Sequence, residues 1–115
     1  DGSVIWSTTL PQPAYNAFPQ VMEGPTGKVV ICGTMSGGLM AISAADGSIT
    51  FQWHPPYSSF STAGPTVGPG GRVYVASNLA PDPRTGDSKG SLRCFKLGDE
   101  NPIKWELEFE LQLTQ

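Results

Sequence analysis

Residues able to carry chemistry are scarce in these 115 amino acids. There is one histidine, His54, and there are two cysteines, Cys32 and Cys94, lying 62 positions apart. With no Cys pair at ligand spacing and a single imidazole, the pattern of a structural zinc site is missing. His54 has no serine, cysteine or carboxylate close by in sequence to form a nucleophile–base pair, so it reads as an ordinary loop histidine. Each cysteine sits inside an apolar run, where a free thiol behaves as a small hydrophobe; spacing alone leaves a disulfide open. Basic residues number seven and are spread thinly, at Lys28, Arg72, Arg84, Lys89, Arg93, Lys96 and Lys104, in a chain of net charge −3. No basic stripe is available to neutralise a phosphate backbone, which argues against nucleic acid as a partner. No apolar run approaches the ~18–20 residues of a membrane-spanning helix, so membrane insertion is not expected. No signal-peptide pattern is visible, and a chain opening on Asp1 is expected to be a mature chain or a piece of a longer one.

Turn formers, by contrast, are plentiful: fourteen glycines and eleven prolines. They fall between apolar runs rather than being scattered, which indicates dense turns and not disorder. The stretch 24–51, GPTGKVVICGTMSGGLMAISAADGSITF, alternates apolar runs with a Gly-rich turn and an Asp-Gly turn. That is the pattern of a three-strand antiparallel meander. Strands are expected over 1–10, 28–34, 39–43, 48–53, 72–77, 91–97 and 103–113, with weaker candidates at 14–22 and 62–67. In the last strand Trp105, Leu107, Phe109, Leu111 and Leu113 alternate with Glu106, Glu108, Glu110, Gln112 and Thr114. One apolar and one acidic face suit an outer strand with one face to solvent.

The unit recurs. GPTGKVVICGT at 24–34 returns as GPGGRVYVASN at 68–78, 44 residues on. DGSVIW at 1–6 returns as DGSITF at 46–51, 45 on, and as ENPIKW at 100–105, a further 54 on. The extra residues fall in the polar loop NLAPDPRTGDSKG, because Leu39 matches Leu92, 53 on. Asn101 replaces Gly2 and Gly47, a sensible exchange where a positive φ is needed. A period near 45 with four strands per unit is the signature of a β-propeller blade. Strands such as VVIC, LMAI and VYVA, apolar without alternation, fit sheets covered on both faces.

A strand, a Gly-rich turn, Leu39-Met40-Ala41-Ile42, Asp46-Gly47 and an aromatic four residues after the turn Gly or Asn (Trp6, Phe51, Trp105) together resemble the repeat of the pyrroloquinoline-quinone-like (PQQ-like) β-propellers. The resemblance covers most of 1–105. It implies that Trp6, Phe51 and Trp105 pack between blades, with Ala41 and Cys94 at matching positions beside them. Ser43 in place of an acidic residue, Phe51 in place of Trp and Cys94 in place of Ala depart from the family pattern. Kelch propellers are the alternative, but Gly37-Gly38 and Gly70-Gly71 stand in different strand contexts. The expected architecture is all-β: two four-stranded antiparallel blades, 11–53 and 54–113, plus an outer strand of a preceding blade at 1–10. Propellers have ~4–8 blades, so this is an incomplete ring. Its open faces must be covered by more of the same polypeptide or by other chains.

The functional reading that follows is a non-enzymatic propeller segment, a structural subunit that acts as a scaffold for protein–protein interaction. The resemblance includes outer-membrane-assembly lipoproteins that are binding platforms, and it leans towards an extracytoplasmic location that no residue here specifies. No cofactor, metal or catalytic residue is assigned. The alternatives are a piece of a PQQ-dependent dehydrogenase, whose adjacent-Cys disulfide has no counterpart here, and a glycan- or small-ligand-binding propeller. The loop carrying Asp82, Arg84, Asp87 and Lys89 is a candidate for partner contact; its two carboxylates fall short of a calcium ligand set. Trp53 lies out of phase with the other tryptophans. Glu106, Glu108 and Glu110 read as a charged strand that resists edge pairing. Tyr15, Tyr57 and Phe60 flank irregular segments and are expected to anchor them.

Overall fold

A computed structural model describes residues 2–14, 18–55, 59–61, 63–81, 83–86 and 88–109. It is all-β. The first sheet is a meander of β1 (Gln20–Gly24), β2 (Gly27–Gly33), β3 (Leu39–Ser43) and β4 (Ile49–Trp53), each antiparallel to the next. Its connections follow from the turn residues. Between β3 and β4, Asp46 Oδ1 accepts the Ser48 N–H at 2.9 Å and the Ser48 hydroxyl at 2.7 Å, and Gly47 takes φ +78°. A side chain at Gly47 would be strained and would also strike the Trp6 ring at 2.7 Å.

The second sheet has the same meander with a broken inner rank. β5 (Ser59–Phe60) and β6 (Thr66–Val67) both pair with β7 (Arg72–Leu79), β5 at its end and β6 at its start; β8 (Gly90–Lys96) and β9 (Ile103–Phe109) complete the order. Between β5 and β6, the Ser61 hydroxyl donates to the Ala76 carbonyl at 2.7 Å and tethers the break to β7. The glycine turn expected at 68–71 is a short 3-10 turn, Pro69–Gly71, with Pro at its start. The strand ends expected at 110–113, and Tyr15 and Tyr57, lie outside the described residues.

Both sheets carry a β-bulge at the same rank: Thr50 is the extra residue of β4, opposite Ala41 and Ile42, and Lys104 is the extra residue of β9, opposite Cys94 and Phe95. Ala41 pairs with Phe51, and Cys94 pairs with Trp105. The duplication read at 53 and 54 residues therefore holds in the ladder. In β7 it is offset by one. Ile31 lies across from Ala41, but Tyr74, not Val75, lies across from Cys94. The counterpart of Ile31 is thus 43 residues on rather than 44, because pairing with β8 sets this register and the glycine turn does not. A slip of one residue moves every side chain to the other face, so this offset decides how the sheets meet.

They meet head to tail. Leu39, Ala41, Phe51 and Trp53 share the face of the first sheet that packs on the second. The second sheet answers with Val73, Val75, Phe95 and Ile103, which belong to its opposite face. Its matching face, carrying Tyr74, Leu92, Cys94 and Trp105, points away. The core between the sheets includes Met22, Val29, Ile31, Leu39, Ala41, Val73, Val75 and Phe95, all buried.

Residues 2–10, expected as a strand, form no ladder. An outer strand of a preceding unit would need that unit's inner strands as pairing partners, and those are not in this sequence. Instead the segment is pinned along β3. The Trp6 indole N–H donates to the Ala44 carbonyl at 2.9 Å, and the Thr8 hydroxyl donates to the Gly47 carbonyl. At the other end of β3, Gln12 Oε1 accepts from the hydroxyls of Thr34 and Ser36, and the Met35 N–H donates to the Pro13 carbonyl at 2.8 Å. Met40 and Ile42, on the face turned from the second sheet, are buried; we attribute their burial to this crossing segment.

Candidate interaction surfaces

The seam between the sheets is built from aromatic side chains on β4 and β8. Phe95 lies edge-on to Trp53, with ring centroids 5.2 Å apart, and edge-on to Phe51 at 6.4 Å. Edge-to-face pairs at such separations add about 0.5–1.5 kcal/mol each beyond burial. Phe51 and Ala41 therefore lie between the sheets. Trp53, out of phase in the sequence, lies there too.

A buried arginine closes this seam. The Arg93 side chain is only 1% exposed. Its guanidinium sits 5.2 Å from the Trp53 ring centroid, its Nε donates to Glu106 Oε1 at 2.9 Å, and one terminal nitrogen donates to Ser77 Oγ at 3.2 Å. Glu106 is half exposed, so it joins the buried cation to the solvent side of β9. The acidic face of β9 is thus turned to the side of the first sheet at this position, and its apolar face is turned outward. This reverses the simple expectation that the acidic face is the one left to water.

The outward apolar face is the largest feature the sequence reading did not locate. Trp105, Leu107 and Phe109 are 38%, 51% and 39% exposed. Tyr74 stands beside Trp105 with centroids 6.0 Å apart, and Cys94 lies buried beneath them as a free thiol. Cys32 is also free, and burial pushes its thiol above the ordinary value. Trp6 sits elsewhere, against the β3–β4 turn, held by Ala44 and Gly47. Phe51, at the corresponding point of the first sheet, lines a cleft with Leu97 and Gly98 of the β8–β9 turn. The Trp6 turn follows β3, and the turn beside the Phe51 cleft follows β8.

Two concavities accompany these faces. The larger, about 560 Å³, lies at the 79–89 loop and is lined by Leu79, Pro81, Pro83, Arg84, Lys89 and Glu108. It brings together Arg84 and Lys89 of the loop singled out from sequence; Asp82 and Asp87 lie outside the described residues. The smaller, about 300 Å³, opens at the seam between Pro25, Val29, Phe51, Leu97 and Asp99. Lys104 beside Asp99 holds its carboxyl below the usual carboxylate range. His54 lies in the exposed segment after β4.

Arg93 and Phe95 escaped the sequence reading, although the duplication contained the signal. Arg93 takes the place of Met40, and Glu106 that of Gln52, a pair that faces across β3 and β4. A cation and an anion at such a matched pair mark a cross-strand bridge. Among the described residues no helix is long and apolar enough to cross a membrane. No family model and no curated protein matches the chain.

Proposed function

We propose that this chain is a two-blade segment of a β-propeller, resembling the PQQ-like repeat, that works as an assembly scaffold. One observation carries the reading: two sheets with the same bulge stack head to tail, so that the face closed in the first sheet stands open in the second. Head-to-tail contacts continue until a ring closes or the stack ends, and an apolar face of this kind is an interaction surface by default. The loop with Arg84 and Lys89 supplies a second, polar surface at the rim. The protein's work in this reading is to position partners, and the partners are proteins or further sheets of the same polypeptide.

Cross-linking through lysine amines in the protein purified from its source, followed by mass spectrometry, tests this. Links from Lys89 and Lys104 to one defined protein, lost on Arg84→Glu with both lysines kept, support the scaffold. A quinone absorbance that co-purifies, with reduction of an added electron acceptor, would replace it with a dehydrogenase.

A further inference from the structure

The chain holds both halves of one interface and satisfies only one of them internally. The open half is the outward face of the second sheet, centred on Trp105 with Tyr74, Leu92 and Leu107 around it. The other half is the seat on the first sheet, at the Ala44 carbonyl and Gly47, where Trp6 now lies. Trp6 and Trp105 stand at the same point of the repeat, each four residues after the turn position occupied by Gly2 or Asn101. In the closed seam the residue at that point, Phe51, lines one cleft with Leu97 and Gly98, in the turn that corresponds to the one holding Trp6. The Trp6 seat is therefore the place where the Trp of a preceding sheet would dock.

We propose that two copies of this chain associate head to tail, with Trp105 of one copy displacing Trp6 from the Ala44–Gly47 seat of the other. The occupant of the open face is thus a second copy, presenting the rear of its first sheet. The proposal rests on the scaffold reading and names the partner of one of its surfaces. The incumbent segment is suited to exchange. It forms no ladder, and its apolar residues Val4 and Ile5 are 81% and 88% exposed, so they add little to its hold. The incoming strand, by contrast, presents Trp105, Leu107 and Phe109 on one rigid sheet. A pre-organised surface loses less freedom on binding than a loose segment does. Because the contact is heterologous, each copy keeps one free end and association continues beyond the dimer unless a ring closes.

Sedimentation velocity over a concentration series tests this on the wild type and on Trp6→Ala, Trp105→Ala and the double variant. Vacating the seat with Trp6→Ala is expected to lower the concentration for half-association by about tenfold, the change that a modest loss of competing contact produces. Trp105→Ala and the double variant are expected to stay monomeric. Thr8→Val, which loosens the segment without uncovering apolar surface, is expected to shift association in the same direction as Trp6→Ala and guards against a folding defect in that variant. Association unchanged by Trp6→Ala and Thr8→Val, or persisting in Trp105→Ala, overturns the proposal. That outcome leaves the scaffold reading standing if the lysine cross-links to another protein survive, whereas a bound quinone removes the scaffold reading whatever the stacking does.

Discussion

Arg93 shows how one residue ties sheet pairing to sheet stacking. A buried guanidinium is tolerated only while its hydrogen bonds and its ring contact are intact. Arg93→Ala removes the cation, its contact with Trp53 and its stem packing, and is expected to cost about 2–4 kcal/mol. Glu106→Gln leaves the buried charge with a weaker acceptor; because Glu106 is half exposed, solvent screening limits the cost to about 1–2 kcal/mol. Urea unfolding with an unchanged m value measures both. Asp46 gives a pH signature. The Ser48 backbone N–H and then the Ser48 hydroxyl hold its carboxyl below the usual range. A lowered folded-state value means that the contribution is present above the ordinary carboxylate range and is lost as pH falls through the lowered value. Asp46→Asn is expected to remove that part of the acid dependence, measured as melting temperature against pH; a profile identical to the wild type's would show that the turn does not report on folding. Aspartate before glycine made this turn legible in the sequence. Arg93 was not, because a charged residue inside an apolar run reads as surface until its partner strand is placed.

At the scale of the strand, exposure and burial separate residues that look alike on paper. Phe95 on β8 fills the seam, and Phe95→Ala is expected to destabilise by about 3–5 kcal/mol. Leu107 on β9 is half exposed, and Leu107→Glu is expected to change stability by less than about 0.5 kcal/mol. Thermal unfolding of the two variants at low protein concentration checks the contrast. If they fell equally, the outward face would be core. Most strands were legible because Gly, Pro and Asp-Gly punctuate them; β3 falls on 39–43 as read from the sequence. The one-residue offset in β7 was not legible. The glycine turns align by sequence at 44, while the ladder to β8 runs at 43, and a glycine turn alone cannot fix a register that a neighbouring strand sets. The strand expected over 1–10 failed for a related reason: strand propensity in Val4 and Ile5 has no effect without an edge to pair with.

In the whole molecule, protection is expected to grade from the seam outward. Amides of Ile31, Val73, Val75 and Phe95 lie in ladders beneath the core and should exchange slowest, while residues 83–86 of the loop, outside any ladder, should exchange early. Native-state hydrogen exchange resolves this order, and slow exchange at 83–86 would mean that the loop is held by contacts unlike those described. The repeat and its aromatic phase were readable from the sequence alone. Which faces of the two sheets meet was not, because it depends on registers that neighbouring strands set. The bulges shared by β4 and β9 carry one more implication. Since both extra residues fall at one rank, β4 and β9 meet their neighbours with the same pairing pattern. Transplanting Ile103–Phe109 in place of β4 should yield a chimera that keeps its ladder to β3 but gives up the Trp53 ring on which Phe95 and Arg93 rest.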